Sequence, residues 1–444
     1  MKARILVVHG LRKDSRQTTL CQTLAFARHS YGCEVLYVHG LGKVPSSDQT
    51  FDLVVLTYEF LALRNLPIWK SLTRRFDQLI KSAGCVVLMP QDDYTFSNSL
   101  DNLAVDWNVS TIFSPITRDL DLIYPRSLRN GVKIQEALTG YVDESLVRLA
   151  TSYSQEWKLR TLDLGQRVRL LAAHFGETGQ RKGLLATSFA QLAIESGFQC
   201  DVSTDPRDVF LGEDWYKFLG NSRFTVGRLG GASRTDPKGK NAAWVKRSRI
   251  LFELGYERLG EVAQSRITSG NSGRFQAISP RIFEAAAMGT CQILERDDYL
   301  EDMKPWEHYI PIDQDLSNVD EVFDAMRDSD LGESIAKRCA DLLIYSNRYT
   351  YETLVLEVLN SAGITVSSEA NRVEFADSSD ELGIGVEESG NAFDLVQLKA
   401  TSSYPKLKAG RSKSKEENLV KLVSSKELPV ESMAIPWRSA SSFV

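Results

Sequence analysis

Short apolar runs separated by longer amphipathic stretches set the pattern of the first 360 residues. ARILVVHG (3–10) is apolar at consecutive positions, the mark of a strand buried on both faces. EVLYVHG (34–40), FDLVVLTYEF (51–60), GCVVLMP (84–90) and STIFSP (110–115) repeat that texture and predict four more strands. Between them, 18–30 and 68–82 read as helices, the second through Trp69, Leu72, Phe76 and Ile80 at three- to four-residue spacing. A polar, helical connector at 146–161 leads into a second series. Its predicted strands are 167–176, 198–204, 222–231 and 290–295. Its predicted helices are 182–197, closed by Gly197, and 280–289, with Pro280 near the first turn and Gly289 at the end. Helices at 319–328, 331–344 and 349–360 follow. Strands alternating with helices imply right-handed βαβ units and parallel sheets. The fold class is therefore α/β, with two facing Rossmann-like domains over 1–160 and 161–363.

Composition changes this picture mainly at the end of the chain. The 444 residues are 43% hydrophobic and 25% charged, ordinary values for folded domains, with a net charge of −5. That balance argues against a general nucleic-acid binder, so no nucleic-acid partner is expected. Residues 366–395 carry a net −7 and residues 396–426 a net +6, with few aromatic residues. The span 364–444 therefore reads as a disordered, charge-segregated tail. Its basic part offers a peripheral contact with a membrane or a partner protein. The six cysteines lack CxxC pairs or finger spacing and read as reduced thiols. No apolar run reaches the ~18 residues of a membrane span. The expected location is the cytoplasm, or the inner face of the membrane.

In open α/β sheets ligands sit at the carboxyl ends of the strands, so chemistry is sought there. HFGETGQRKG (174–183) follows one predicted strand and precedes a helix. Gly176 and Gly179 permit a tight turn, while Arg181 and Lys182 add positive charge beside a helix N-terminus, an arrangement suited to a diphosphate. In SPRIFEAAAMGT (279–290), Arg281 and Glu284 are three apart and share a helix face. There Arg281 can meet phosphate and Glu284 a ribose diol. Asp201, Ser203 and Asp205 end a strand where polar residues can line a cleft, and Trp215, Tyr216 and Phe218 form an aromatic cluster. Gly231 and Ser233 lie in a glycine-rich segment read as a close-approach turn after a strand. In the first half, MPQDDYTFS (89–97) places Asp92 and Asp93 at a strand end, where a general base belongs. His9 and His39 also end strands. No His/Cys cluster, GxSxG elbow or GxGxxG fingerprint is present, and no metal site is expected.

RTLDLGQR (160–167), FGETGQRKG (175–183), CDVST (200–204), the 208–233 segment with Asp236 and Gly239, ISPRIFEAAAMGTCQILE (278–295) and HYIPIDQDLSNVDEV (308–322) form a recognisable series. This second half resembles the C-terminal domain of GT-B glycosyltransferases. It looks closest to the bacterial group of spore-maturation glycosyltransferase-like proteins found in surface-polysaccharide clusters. The first half fits by architecture, with QDDY (91–94) as its best local feature. The resemblance implies two facing Rossmann-like domains and a nucleoside-diphosphate-sugar bound as donor substrate, with neither cofactor nor metal. It implies that Lys182 and Arg181 hold the diphosphate, that Arg281 contacts phosphate and that Glu284 binds the ribose. The acceptor is then a glycan, lipid-linked or protein hydroxyl. Many retaining members carry Glu eight residues before the ribose-binding Glu; here that place holds Gln276, and the stereochemical outcome stays open. Asp92, Asp93 and His9 are the alternatives for the base. An epimerase of the same fold, or a non-catalytic partner that binds nucleotide-sugar, would present the same donor-site residues.

Overall fold

The structure, a computed structural model, describes residues 2–375 apart from 13–14, 47, 257, 259–260, 263–265, 267–269 and 368. The first half is built on strands β1 (Arg4–His9), β2 (Glu34–His39), β3 (Leu53–Leu56), β4 (Cys85–Leu88), β5 (Thr111–Ser114) and β6 (Lys133–Glu136). Consecutive apolar residues in β1 serve both faces of the sheet. Ile5 and Val7 enter one core cluster, while Leu6 and Val8 enter the other. Helix α1 (Gln17–His29) covers the first of these faces. Helices α2 (Trp69–Lys81) and α3 (Ser97–Asp106) cover the second.

The second half is a five-stranded sheet made from β7 (Leu162–Arg167), β8 (Cys200–Ser203), β9 (Ser222–Gly227), β12 (Cys291–Glu295) and β13 (Ile310–Ile312). Its order is β13-β12-β9-β7-β8, and every pairing is parallel. Between β9 and β12, strands β10 (Gly230–Arg234) and β11 (Ser272–Ala277) form an antiparallel pair of their own. All six cysteines are free thiols, with Cys85 and Cys200 half-buried and the rest buried.

Several elements differ from the sequence expectation. The strand expected at 167–176 is instead β7, because Leu162 and Leu164 supply its apolar side and Gly165 packs closely on Ser222. The helix expected from 182 begins at Gly176, and the strand expected at 222–231 breaks at Arg228. Strand β13 lies in what reads as a loop.

The end of the chain also departs from a 161–363 unit followed by a tail. Helix Tyr351–Ser361 returns to the first half, where Leu354, Val355, Val358 and Leu359 pack with Ala25 and Phe26 of α1. Beyond Gly363 the chain adds strand β14 (Arg372–Phe375), parallel to β2, with Val373 against the same cluster. The first sheet is thus seven-stranded, in the order β14-β2-β1-β3-β4-β5-β6 and parallel throughout. An unpaired edge on β2 is a ready template for four more backbone residues, which composition cannot reveal. Residues 376–444, where most of the charge-segregated span falls, lie outside the described residues.

Candidate functional site

The order of the second sheet reverses at β7, which has β8 on one side and β9 on the other. Such a switch point opens a crevice at the carboxyl ends of the strands. A cavity of about 30 Å³ sits there, lined among others by Gln166, Lys182, Trp215, Arg228, Arg281 and Gln292.

Helix α5 (Gly176–Glu195) follows β7 into this crevice; α4 (Glu144–Tyr153) precedes it in the chain. Gly176 has φ +71°, and a side chain there would collide with Ser233 Oγ. Ser233 Oγ accepts a hydrogen bond from Thr178 N (3.3 Å), so this serine satisfies one of the helix's first N–H groups. Gly179 is buried within the first turn, where a Cβ would come 2.5 Å from Phe175 Cβ. It is a packing position inside the helix, not part of a preceding loop. Gly231 has φ +107° in β10, where a Cβ would strike the carbonyl of Phe275. The segment 230–233 is therefore strand, and its glycine serves the pairing with β11.

Lys182 and Arg181 part company. Arg181 is tied to Glu295 (3.0 Å) and to the Gln314 carbonyl. Lys182 lines the cavity, and burial, followed by repulsion from Arg281 and Arg228, lowers its pKa to about 8. Arg228 is buried, pairs with Glu295 (3.2 Å) and has an Nε without a hydrogen-bond partner among the described residues.

Arg281 and Glu284 lie one turn apart on helix α8 (Arg281–Ala287), which follows α6 (Glu213–Gly220) and α7 (Lys240–Glu253). Trp215 spans both, donating from Nε1 to Glu284 Oε2 (2.7 Å) with its ring 4.7 Å beneath the Arg281 guanidinium. Arg281 also donates to Gln166 Oε1 (3.2 Å) and to the Arg167 carbonyl. Burial raises the Glu284 carboxyl, opposed by the Trp215 hydrogen bond and then by Arg281 and Lys182.

The polar residues of the 201–205 strand end serve the loop itself. Asp201 holds Arg167 (2.8 Å), Ser203 donates to Asp208 (2.6 Å), and Asp205 caps a short helical turn. The Arg167 guanidinium lies over both the Phe210 and Phe218 rings, at 4.7 and 4.5 Å.

In the first half the three candidate bases occupy different environments. Asp92 is exposed, at φ +51°, and accepts from Tyr94 OH (2.7 Å). Asp93 is fully buried, and its Oδ2 accepts from Ser114 Oγ and Tyr124 OH, both at 2.6 Å. Burial raises its pKa against those two hydrogen bonds. His9 is 1% exposed, and its Nδ1 accepts from Leu11 N (3.3 Å). Burial, then the neighbouring His39, lowers its pKa to about 3. Asp93 and His9 are thus closed off from solvent, whereas Asp92 is open to it.

Arg64 organises this loop. It is buried and donates to the carbonyls of Leu61 (2.9 Å), Gln91 (3.2 Å), Asp92 (3.0 Å) and Thr95 (3.1 Å). The loop then docks on the second half. Asp236 N donates to the Tyr94 carbonyl (2.7 Å), and Phe96 N donates to the Asp236 carbonyl (2.8 Å). Tyr94 packs against Phe175 and Phe275, at 6.0 and 6.4 Å between ring centroids. Nearby, Thr139 Oγ1 donates to the Ile278 carbonyl just before α8 (2.5 Å). Among the described residues, no cluster of three or more His, Cys, Asp or Glu side chains is assembled to hold a metal.

No protein-family model matches the chain, and no curated protein matches it. Among solved structures, an alpha-glucosyltransferase in complex with UDP and DNA aligns with 82% of this chain and 100% of its own, at 10% identity and TM-score 0.48. Sucrose-phosphate synthase from Thermosynechococcus elongatus aligns with 81% of this chain and 98% of its own, at 10% identity and TM-score 0.43. Anabaena HepE in complex with UDP-glucose aligns with 81% and 99%, at 12% identity and TM-score 0.39. At likenesses this low, nothing about this chain's substrate follows from them.

Proposed function

We propose that the protein is a metal-independent GT-B glycosyltransferase, moving a sugar from a nucleoside-diphosphate-sugar to an acceptor hydroxyl in surface-polysaccharide or glycoconjugate synthesis. The observation that carries this reading is the excess of positive charge at the switch point. Among the described residues, Lys182, Arg281, Arg228 and Arg181 meet the carboxylates of Glu284 and Glu295, with Asp297 also near Arg228. Half-buried cations without matching anions are unfavourable unless an anion joins them, and a diphosphate has that charge. As the donor's glycosidic bond breaks, negative charge grows on the leaving diphosphate, and fixed cations stabilise that change. In this reading Glu284, held by Trp215, accepts hydrogen bonds from the ribose. Asp92, whose carbonyl Arg64 holds, meets the acceptor.

A panel of UDP-, GDP- and ADP-sugars tests the reading through release of nucleoside diphosphate. One donor is expected to be hydrolysed slowly, with Lys182→Ala reducing the rate about 100-fold. No release from any donor, or release untouched by Lys182→Ala, contradicts the proposal. Reversible epimerisation of the donor without release points to an epimerase instead.

A further inference from the structure

Between β10 and β11, the main element among the described residues is helix α7. Asp236 Oδ2 accepts from Ala242 N (2.8 Å) at its start. Asn241, Ser248 and Leu251 are buried on one side. At ~100° per residue the opposite side carries Ala243, Lys246 and Arg249, all exposed, with Ile250 half-buried. Lys238 and Lys240 are exposed just before these positions, and Leu254 (48%) and Tyr256 (47%) just after. Trp244 lies half-buried between the Arg247 and Arg266 guanidiniums, at 4.9 and 5.0 Å.

A surface helix ordinarily turns its large apolar side chains inward and leaves charge outside. Here Leu254 and Tyr256 stay exposed just past the end of the helix. Over 234–258 the chain has seven Lys/Arg against three Asp/Glu, a local +4 in a molecule of −5. Exposed lysines along a helix, followed by exposed apolar and aromatic side chains at its end, suit an interface that is anionic at its surface and hydrocarbon beneath. A nucleic acid would match the charge but would leave Leu254 without an apolar partner.

We propose that α7 and its flanks dock the protein on an anionic lipid bilayer. Lys238, Lys240 and Lys246 meet the headgroups, while Leu254 and Tyr256 enter the interfacial layer. The contact is peripheral, since among the described residues no helix is long and apolar enough to cross a membrane. The surface adjoins the acceptor side of the cleft, because Asp236 binds the loop that carries Asp92 and Phe96 lies against Gly239. Docking there brings membrane-borne hydroxyl groups toward Asp92.

Co-sedimentation of the full chain with phosphatidylcholine vesicles, with and without about one-third phosphatidylglycerol, tests the proposal. Binding is expected only to the anionic vesicles, weakening with added salt. Lys240→Glu/Lys246→Glu should weaken it at least about ten-fold, and Leu254→Ser/Tyr256→Ser should also weaken it. Both variants should melt like the wild type and bind nucleoside diphosphate unchanged, which separates this surface from the donor site. Three results overturn the proposal: no binding to anionic vesicles; full binding by both variants, which would assign attachment to 396–426; or tighter binding to duplex DNA than to vesicles.

Discussion

Lys182 and Arg64 show how a single side chain can be tuned or used by its surroundings. Burial and two neighbouring guanidiniums hold the Lys182 pKa at about 8, below that of an ordinary lysine. A bound diphosphate favours the charged form. The free protein loses that proton as pH rises through about 8, so diphosphate affinity should fall between about pH 7 and about pH 9. Fluorescence or calorimetric titration across that range checks the sign. Lys182→Arg should flatten the profile, and a flat wild-type profile would contradict the account. The sequence shows Arg64 only as one more charge between a predicted strand and a predicted helix. The structure makes it the donor for four carbonyls around the Asp92 loop. Arg64→Ala leaves those buried acceptors unmet and should cost about 3 kcal/mol in urea unfolding. A loss below about 1 kcal/mol would mean that water replaces the guanidinium.

At the scale of elements, what could be read in advance depended on how local the signal is. The apolar run of β1 and the i, i+3 pair on α8 each lie within a few residues, and the structure keeps each as a unit. Elements defined by distant partners could not be read in this way. Trp215 meets Glu284 across 69 residues, and β14 pairs with β2 from the far end of the chain. Arg228 stands at a break that apolar periodicity reads as continuous strand, so its cavity-lining position emerges only once β9 and β10 separate. Burial sorted the remaining candidates. His9 ends β1 as expected and Asp93 lies in the turn beyond β4, yet both are buried, and a position at or just past a strand end does not tell interior from cleft.

Among the described residues, two parallel sheets and a small antiparallel pair are joined by several contacts. The 91–96 loop docks on Asp236, Thr139 holds the segment before α8, and the last helix returns to the first core. The halves therefore present the Asp92 loop and the Lys182–Arg281–Glu284 group from opposite sides of one junction. Net charge conceals this arrangement, since the chain is acidic overall while the switch point and the α7 surface are basic. The central claim is that the switch point is a diphosphate site. Isothermal titration of the full chain with UDP, GDP and ADP tests it directly. At least one should bind at a single site, and Lys182→Ala and Arg281→Ala should each weaken that binding about ten-fold or more. The absence of binding by all three nucleotides, or binding that neither substitution changes, would contradict it.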